Sequence, residues 1–96
     1  MFQAMNYPAI VSPEGAHTLI IFPDLPDCQV IASVNDNLLK AAQEALVSCL
    51  TAALREQVSP PHPSEEIEVS GGARSLIVPV PDEMARAIEA RWQWSR

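Results

Sequence analysis

The chain has 96 residues, of which 48% are apolar and 19% are charged, and its formal net charge is −6. This composition predicts one packed domain and excludes a protein whose main surface grips nucleic-acid phosphates, since such surfaces need clustered Lys and Arg. No Lys or Arg precedes Lys40, so a partner attracted to the first third by charge would be basic. The uncharged stretch at residues 45–54 is far shorter than the roughly 20 apolar residues that span a bilayer.

The first third of the sequence predicts three short β-strands, over residues 7–11, 18–22 and 28–32. Each is rich in Ile, Val or aromatic residues and is bounded by turn-forming Pro, Gly, Asp or Ser. The short connections favour antiparallel neighbours, so we expect a three-strand meander.

A long amphipathic helix is predicted next. Apolar residues recur every three or four positions from Leu38 to Leu54. Asn35 or Asp36 is predicted to cap its N-terminus, and Pro60 cannot continue its hydrogen-bond ladder.

The last third predicts a loop, a strand and a second helix. Residues 59–74 mix Pro, Ser, Glu and Gly and indicate a surface excursion, in which residues 66–69 could add a short edge strand. Residues 75–80 are predicted to form a strand that Pro79 either places at a sheet edge or ends, and the second helix opens at Asp82. The expected fold class is therefore two-layer α+β, ordered β-β-β-α-β-α, with one long helix packed on the sheet. That topology is half of a ribonuclease-H-like fold.

Both faces of the predicted sheet are apolar. Ile20 points to one face, whereas Leu19 and Ile21 point to the other, and a solvated face would show polar residues at every second position. The second face therefore needs a cover, which could be the C-terminal helix, a second copy of the chain or a different partner. Trp94 lies about 200° around the helix from Trp92 and cannot share its apolar face. Leu19, Ile21 and Trp94 are the residues we predict to support self-association.

No catalytic, cofactor or metal site is predicted, so we expect no enzyme. The predicted strands at residues 7–11 and 18–22 carry no carboxylate, and two-metal hydrolysis needs convergent carboxylates. His17 and His62 are isolated and are predicted to be solvated. Cys28 and Cys49 have no metal-ligand spacing and are predicted to be reduced, buried side chains.

Several segments carry a family resemblance. They are YPAIV at residues 7–11, FPDLPDC at 22–28, NLLKAAQEAL at 37–46, PHPS at 61–64 and LIVPV at 76–80. Together they resemble the HicB antitoxin family, in which glycine is usual at the position of Asp27. The resemblance implies a partial ribonuclease-H-like domain over residues 1–81. Residues 82–96 would form a helix of the same domain or an oligomer contact.

The resemblance also implies a function. A HicB-like chain would neutralise a small basic HicA-type toxin, an mRNA-cleaving ribonuclease, by covering its RNA-binding surface. It would be cytoplasmic and would form a homo-oligomer. Acidic side chains near the strand–turn edge and in the long loop are the predicted toxin contacts: Asp24, Asp27, Asp36, Glu65, Glu66 and Glu68.

Two other functions remain open on the sequence. Many HicB relatives continue into a segment that binds operator DNA, whereas this sequence stops at Arg96, one helix after the last strand, so operator binding through this chain is not expected. The alternatives are an oligomeric binding module without a toxin, or a transcriptional regulator that acts through its C-terminal helix.

Overall fold

A computed structural model describes residues 5–33, 37–64, 67–69 and 71–94 of the chain. The predicted order of strands and helices and the α+β class are confirmed. The elements are β1 (Asn6–Glu14), β2 (His17–Ile21), β3 (Gln29–Ser33), α1 (Leu38–Arg55), β4 (Arg74–Pro79) and α2 (Asp82–Trp94).

The strands form one antiparallel sheet in the order β3-β2-β1-β4. β4 lies at an edge beside β1, as Pro79 predicted. β1 is longer than expected, because residues 12–14 continue the strand instead of starting a turn, and Glu14 pairs with His17. The remaining two-residue turn begins with Gly15 at a φ of 63°, a conformation in which glycine has no Cβ penalty.

Both prolines of β1 fall where the strand has a neighbour on one side only. Pro8 is paired with Ile77 of β4, beyond the stretch that pairs with β2. Pro13 is paired with Thr18 of β2, beyond the stretch that pairs with β4. Since proline lacks an N–H, these positions spare the sheet a lost ladder bond.

Both helices pack on the same face of the sheet, which we call the inner face. One cluster of buried side chains joins this face to α1 and α2. It comprises Met5, Tyr7, Ala9, Val11, Ile20, Phe22, Cys28, Ala32, Ala42, Leu46, Leu50, Val78, Val80, Ala85 and Ile88. Neither helix, over the part of the chain that the structure describes, has the length and apolar character to cross a membrane.

The N-terminal cap of α1 is Asn37, whose side chain accepts a hydrogen bond from the backbone N–H of Lys40 at 3.1 Å. The prediction of Asn35 or Asp36 as the cap was therefore wrong by one or two residues, and both lie outside the described residues. Any of the three could cap a helix by type, so only the backbone geometry selects among them.

The C-terminus of α1 closes in a Schellman motif. Val58 N–H donates to the carbonyl of Ala53 at 2.9 Å, and Gln57 N–H donates to that of Leu54 at 3.2 Å. Gln57 adopts the left-handed conformation that this motif requires, with a φ of 59°. The helix therefore ends before Pro60, as predicted.

Two local predictions were wrong. Cys28 and Cys49 form a disulfide, with their Cα atoms 6.1 Å apart, because β3 and α1 pack against each other and bring the two residues together. Residues 67–69 form no strand, and residues 65, 66 and 70 lie outside the described residues.

Candidate protein-binding surfaces

The outer face of the sheet, opposite the helices, carries apolar side chains on all four strands. The register places Leu19 beside Ile31 and Ile10 beside Ile21. Ile31 is 68% exposed, and Ile77 on β4 is 55% exposed. Pro8 shares this face but is fully buried. We call the remaining set the outer apolar stripe; its members are Ile10, Leu19, Ile21, Ile31 and Ile77.

The C-terminal helix does not cover this stripe. Ala85 and Ile88 of α2 are fully buried in the cluster on the inner face, which contains no member of the stripe. Of the three covers considered from the sequence, a second copy and a different partner therefore remain. Trp94 is the last residue of α2, and its side chain lies outside the described residues.

The stripe is almost uncharged. Alternation along the paired strands puts only one ionised side chain on the outer face, that of Glu14 at the end of β1. Its other polar neighbours on the four strands are Asn6, Ser12, His17, Gln29, Ser33 and Ser75. A surface of this kind binds through apolar burial and not through charge attraction.

A second candidate surface is a groove of about 320 Å³ between the turn that joins β2 to β3, the second half of α1 and the segment after it. We call it the turn groove. It is lined by Asp24, Leu25, Pro26, Asp27, Cys28, Cys49, Ala52, Ala53, Glu56, Val58 and Pro61. Three of the lining residues are acidic. No lining residue among those that the structure describes is basic.

The β2–β3 turn that forms one wall of this groove is fixed by its own hydrogen bonds. Phe22 N–H donates to the carbonyl of Cys28 at 3.2 Å, and Cys28 N–H donates to that of Leu25 at 2.7 Å. The disulfide to Cys49 ties the end of the turn to α1. Asp27 does not adopt a positive φ, so the turn needs no glycine at this position; Gln57 is the one non-glycine residue with a positive φ among those described.

Asp24 is half-buried and holds the segment after α1. Its carboxylate accepts hydrogen bonds from the backbone N–H of Ser64 at 2.8 Å and from the Ser64 hydroxyl at 2.6 Å. Burial raises the pKa of Tyr7 to about 12, and the negative charge of Asp24 contributes to this rise. Through its two hydrogen bonds with Ser64, Asp24 positions the segment after α1, whereas Asp27 is exposed.

The same segment is also anchored to the core and to α2. The Tyr7 hydroxyl donates to the carbonyl of Pro61 at 2.6 Å, and the indole N–H of Trp92 donates to that of Pro60. The His62 ring stacks on Trp92 with centroids 3.8 Å apart. His62 is exposed, as predicted, and its stacking on Trp92 is a further contact that the sequence does not indicate, because the fold must first bring α2 beside residues 60–64.

The structure brings together some of the predicted contact residues. Asp24 and Asp27 both line the turn groove, and Glu68 is exposed but does not line it. Asp36, Glu65 and Glu66 lie outside the described residues. Sequence reasoning missed Glu56, which faces the groove from the C-cap of α1. No motif marks this residue, since its place depends on how the β2–β3 turn packs against the helix.

No metal-binding group emerges within the described ranges. The His, Cys, Asp and Glu side chains placed there do not gather in sets of three or more that could hold an ion.

Comparisons with known proteins identify a shared fold. No protein-family model matches the sequence, and no curated protein matches it. A chain of a solved structure described as "HicA3 and HicB3 toxin-antitoxin complex" is similar, with a TM-score of 0.61. The alignment covers 80% of this chain and 99% of that chain, at 21% sequence identity. The two chains thus share their arrangement of sheet and helices.

Proposed function

We propose that this chain is a HicB-like antitoxin that binds a small basic HicA-type ribonuclease and blocks its RNA-binding surface. The observation that carries the proposal is the likeness in fold to a chain of a toxin–antitoxin complex over 80% of the sequence. The five segments that resemble the HicB family point in the same direction. The chain itself would be a partial ribonuclease-H-like domain without catalytic activity.

Charge supports the choice of partner. The chain carries a net charge of −6, and a ribonuclease that grips RNA phosphates needs a basic surface. Opposite net charges speed encounter, and apolar burial then slows dissociation. The acidic contacts proposed for the toxin are Asp24, Asp27, Asp36, Glu65, Glu66 and Glu68.

Self-association is a second part of the proposal. Two chains of net charge −6 repel each other, so self-association needs a contact surface that carries little charge. The outer apolar stripe is such a surface. Leu19 and Ile21 would lie within that interface, with Trp94 as a further contact. We place the complex in the cytoplasm, where an mRNA-cleaving partner would act.

Co-expression tests the antitoxin proposal. The small basic protein encoded beside this chain is expressed alone and together with it, and growth and co-purification are measured. The proposal expects arrested growth with the neighbour alone, restored growth with both, and a complex that purifies together. A harmless neighbour, or growth arrest that persists with both, would favour an oligomeric binding module without a toxin.

A further inference from the structure

We propose that the turn groove receives an arginine side chain of the basic ribonuclease, with Asp27 and Glu56 as its ion-pair partners. This inference rests on the proposed function and names the part of the surface that recognises the partner. The outer apolar stripe lacks the charge for this role, since Glu14 is its one ionised neighbour among the described residues of the four strands.

The shape of the groove suits a long side chain with an apolar stem. Ala52, Val58 and Pro61 are exposed apolar residues along the groove, and Val58 is 54% exposed. Arginine buries its methylene groups along such a wall while its guanidinium group stays at a polar rim. Exposed apolar area that a partner covers in this way stabilises the complex.

The charge of the groove selects a cation. Asp27 comes from the β2–β3 turn and Glu56 from the end of α1, so carboxylates stand on two different walls. Asp24 already accepts two hydrogen bonds from Ser64, whereas Asp27 and Glu56 are exposed, so these two carboxylates have the most acceptor capacity left for an arginine. The C-terminal end of α1 adds a partial negative charge to the same place.

Two carboxylates on separate walls favour arginine over lysine. The planar guanidinium group offers five N–H donors in fixed directions and can bond two carboxylates at once, whereas an ammonium group is a point charge. Arginine side chains in pockets are also frequent among the residues that dominate binding energy at interfaces.

The groove is also held in place before any partner binds. The backbone hydrogen bonds of Phe22 and Cys28 fix the β2–β3 turn. The hydrogen bonds from Tyr7, Trp92 and Ser64 fix the opposite segment. A site that needs no reordering loses little entropy when it is filled.

Charge variants test the inference with a matched control. Glu56→Gln and Asp27→Asn each remove one groove carboxylate, and Glu44→Gln removes one exposed carboxylate of α1 outside the groove. We call the chain that carries both Glu56→Gln and Asp27→Asn the double groove variant. We expect it to bind the ribonuclease about 10- to 100-fold more weakly, mainly through faster dissociation. Glu44→Gln should change the dissociation constant less than about 3-fold, because it alters only long-range attraction.

Two substitutions by a bulky residue test whether the groove itself binds the ribonuclease, as opposed to the negative charge of the whole chain. Ala52→Phe fills the groove, whereas Ser48→Phe adds the same ring to an exposed α1 position that does not line it. The inference expects weaker binding for Ala52→Phe alone, with circular dichroism showing that both variants fold. Phenylglyoxal labelling of the ribonuclease should also show one arginine that the wild-type chain protects and Ala52→Phe does not.

The outcomes separate this inference from the proposed function. If the wild-type chain does not bind the ribonuclease, both fail. If it binds and neutralises the ribonuclease while the double groove variant and Ala52→Phe bind as the wild type does, the groove inference fails and the function stands. Protection of no arginine in the wild-type complex would also overturn the inference.

Discussion

The phenolic hydroxyl of Tyr7, on the inner face of β1, donates a hydrogen bond of 2.6 Å to the backbone carbonyl of Pro61. Tyr7 is fully buried, whereas Pro61 is exposed and lines the turn groove. The core of the sheet therefore fixes one wall of the candidate binding site directly. Trp92 and Asp24 hold the same segment from α2 and from the β2–β3 turn.

The ionisation of Tyr7 provides a first test of this arrangement. Burial, with a smaller contribution from the charge of Asp24, raises its pKa from 10.0 to about 12. Tyr7 is the sole tyrosine of the chain, so tyrosinate absorbance reports it alone. A spectroscopic titration should give a midpoint near 12, and Asp24→Asn should lower the midpoint without restoring the ordinary value. A midpoint near 10 in the folded wild-type chain would contradict the buried hydroxyl.

The same pKa shift predicts how stability depends on pH. The folded state keeps the Tyr7 proton more tightly than the unfolded state, whose pKa is near 10. The resulting stabilisation is complete below pH 10 and is lost as pH rises through about 12. Urea unfolding of wild type and Tyr7→Phe across this range measures the effect. The difference between the two proteins should shrink as pH rises, and a constant difference would count against the assignment.

The Cys28–Cys49 disulfide should contribute measurably to stability. The two cysteines are 21 positions apart in the sequence. Disulfides that close loops of this size typically stabilise a fold by about 2–4 kcal/mol. Urea unfolding with and without a reducing agent should show a loss of this order. A Cys28→Ser/Cys49→Ser double variant should resemble the reduced protein and should not respond to the reducing agent. Labelling of both thiols in the unreduced native protein would show that the bond does not form.

Gln57 is a position where substitution should stabilise the chain. It adopts a φ of 59° at the end of α1, a conformation that costs a residue with a Cβ roughly 1–2 kcal/mol. Gln57→Gly removes this cost but adds unfolded-state entropy, so we expect a net gain of up to about 1 kcal/mol in the free energy of unfolding. Ala52→Gly, inside the helix, should instead lose about 1 kcal/mol. Thermal unfolding of both variants measures the two changes in stability. An equal loss of stability in both variants would contradict the prediction.

The outer apolar stripe is tested by charge insertion. Ile31→Glu places a carboxylate at a residue that is 68% exposed, so the chain should stay folded while its proposed self-association is lost. Leu19→Glu should act in the same way. Ile20→Glu is the control: this side chain is fully buried on the inner face, and an unpaired buried charge should unfold the chain. Light scattering and circular dichroism measure mass and folding, and a wild-type chain that is monomeric at every concentration would contradict the proposed interface.

The order of strands and helices could be predicted because each element has its own apolar period. Leu19 and Ile21 alternate with Ile20 in a strand, and the leucines of α1 recur at helical spacing. The uncovered sheet face followed from the same alternation. Local propensity could not predict the length of β1, since Ser12 and Pro13 resemble turn residues until β2 is seen to pair with them.

The features that depend on tertiary packing could not be predicted. Nothing in the spacing of Cys28 and Cys49 indicates that β3 and α1 bring them within bonding distance. Glu56 joins Asp27 at the turn groove only because the β2–β3 turn packs against the end of α1. Likewise, Asp24 was identified by its charge alone, and only the structure reveals that Ser64 occupies its carboxylate.

Inhibition of RNA cleavage tests the central proposal most directly. The purified basic ribonuclease encoded beside this chain is mixed with increasing amounts of the wild-type protein, and the rate of RNA cleavage is measured. Because the chain is proposed to cover the RNA-binding surface, cleavage should fall in proportion to added protein and stop near stoichiometric amounts. Cleavage that continues unchanged in an excess of the folded chain would contradict the account.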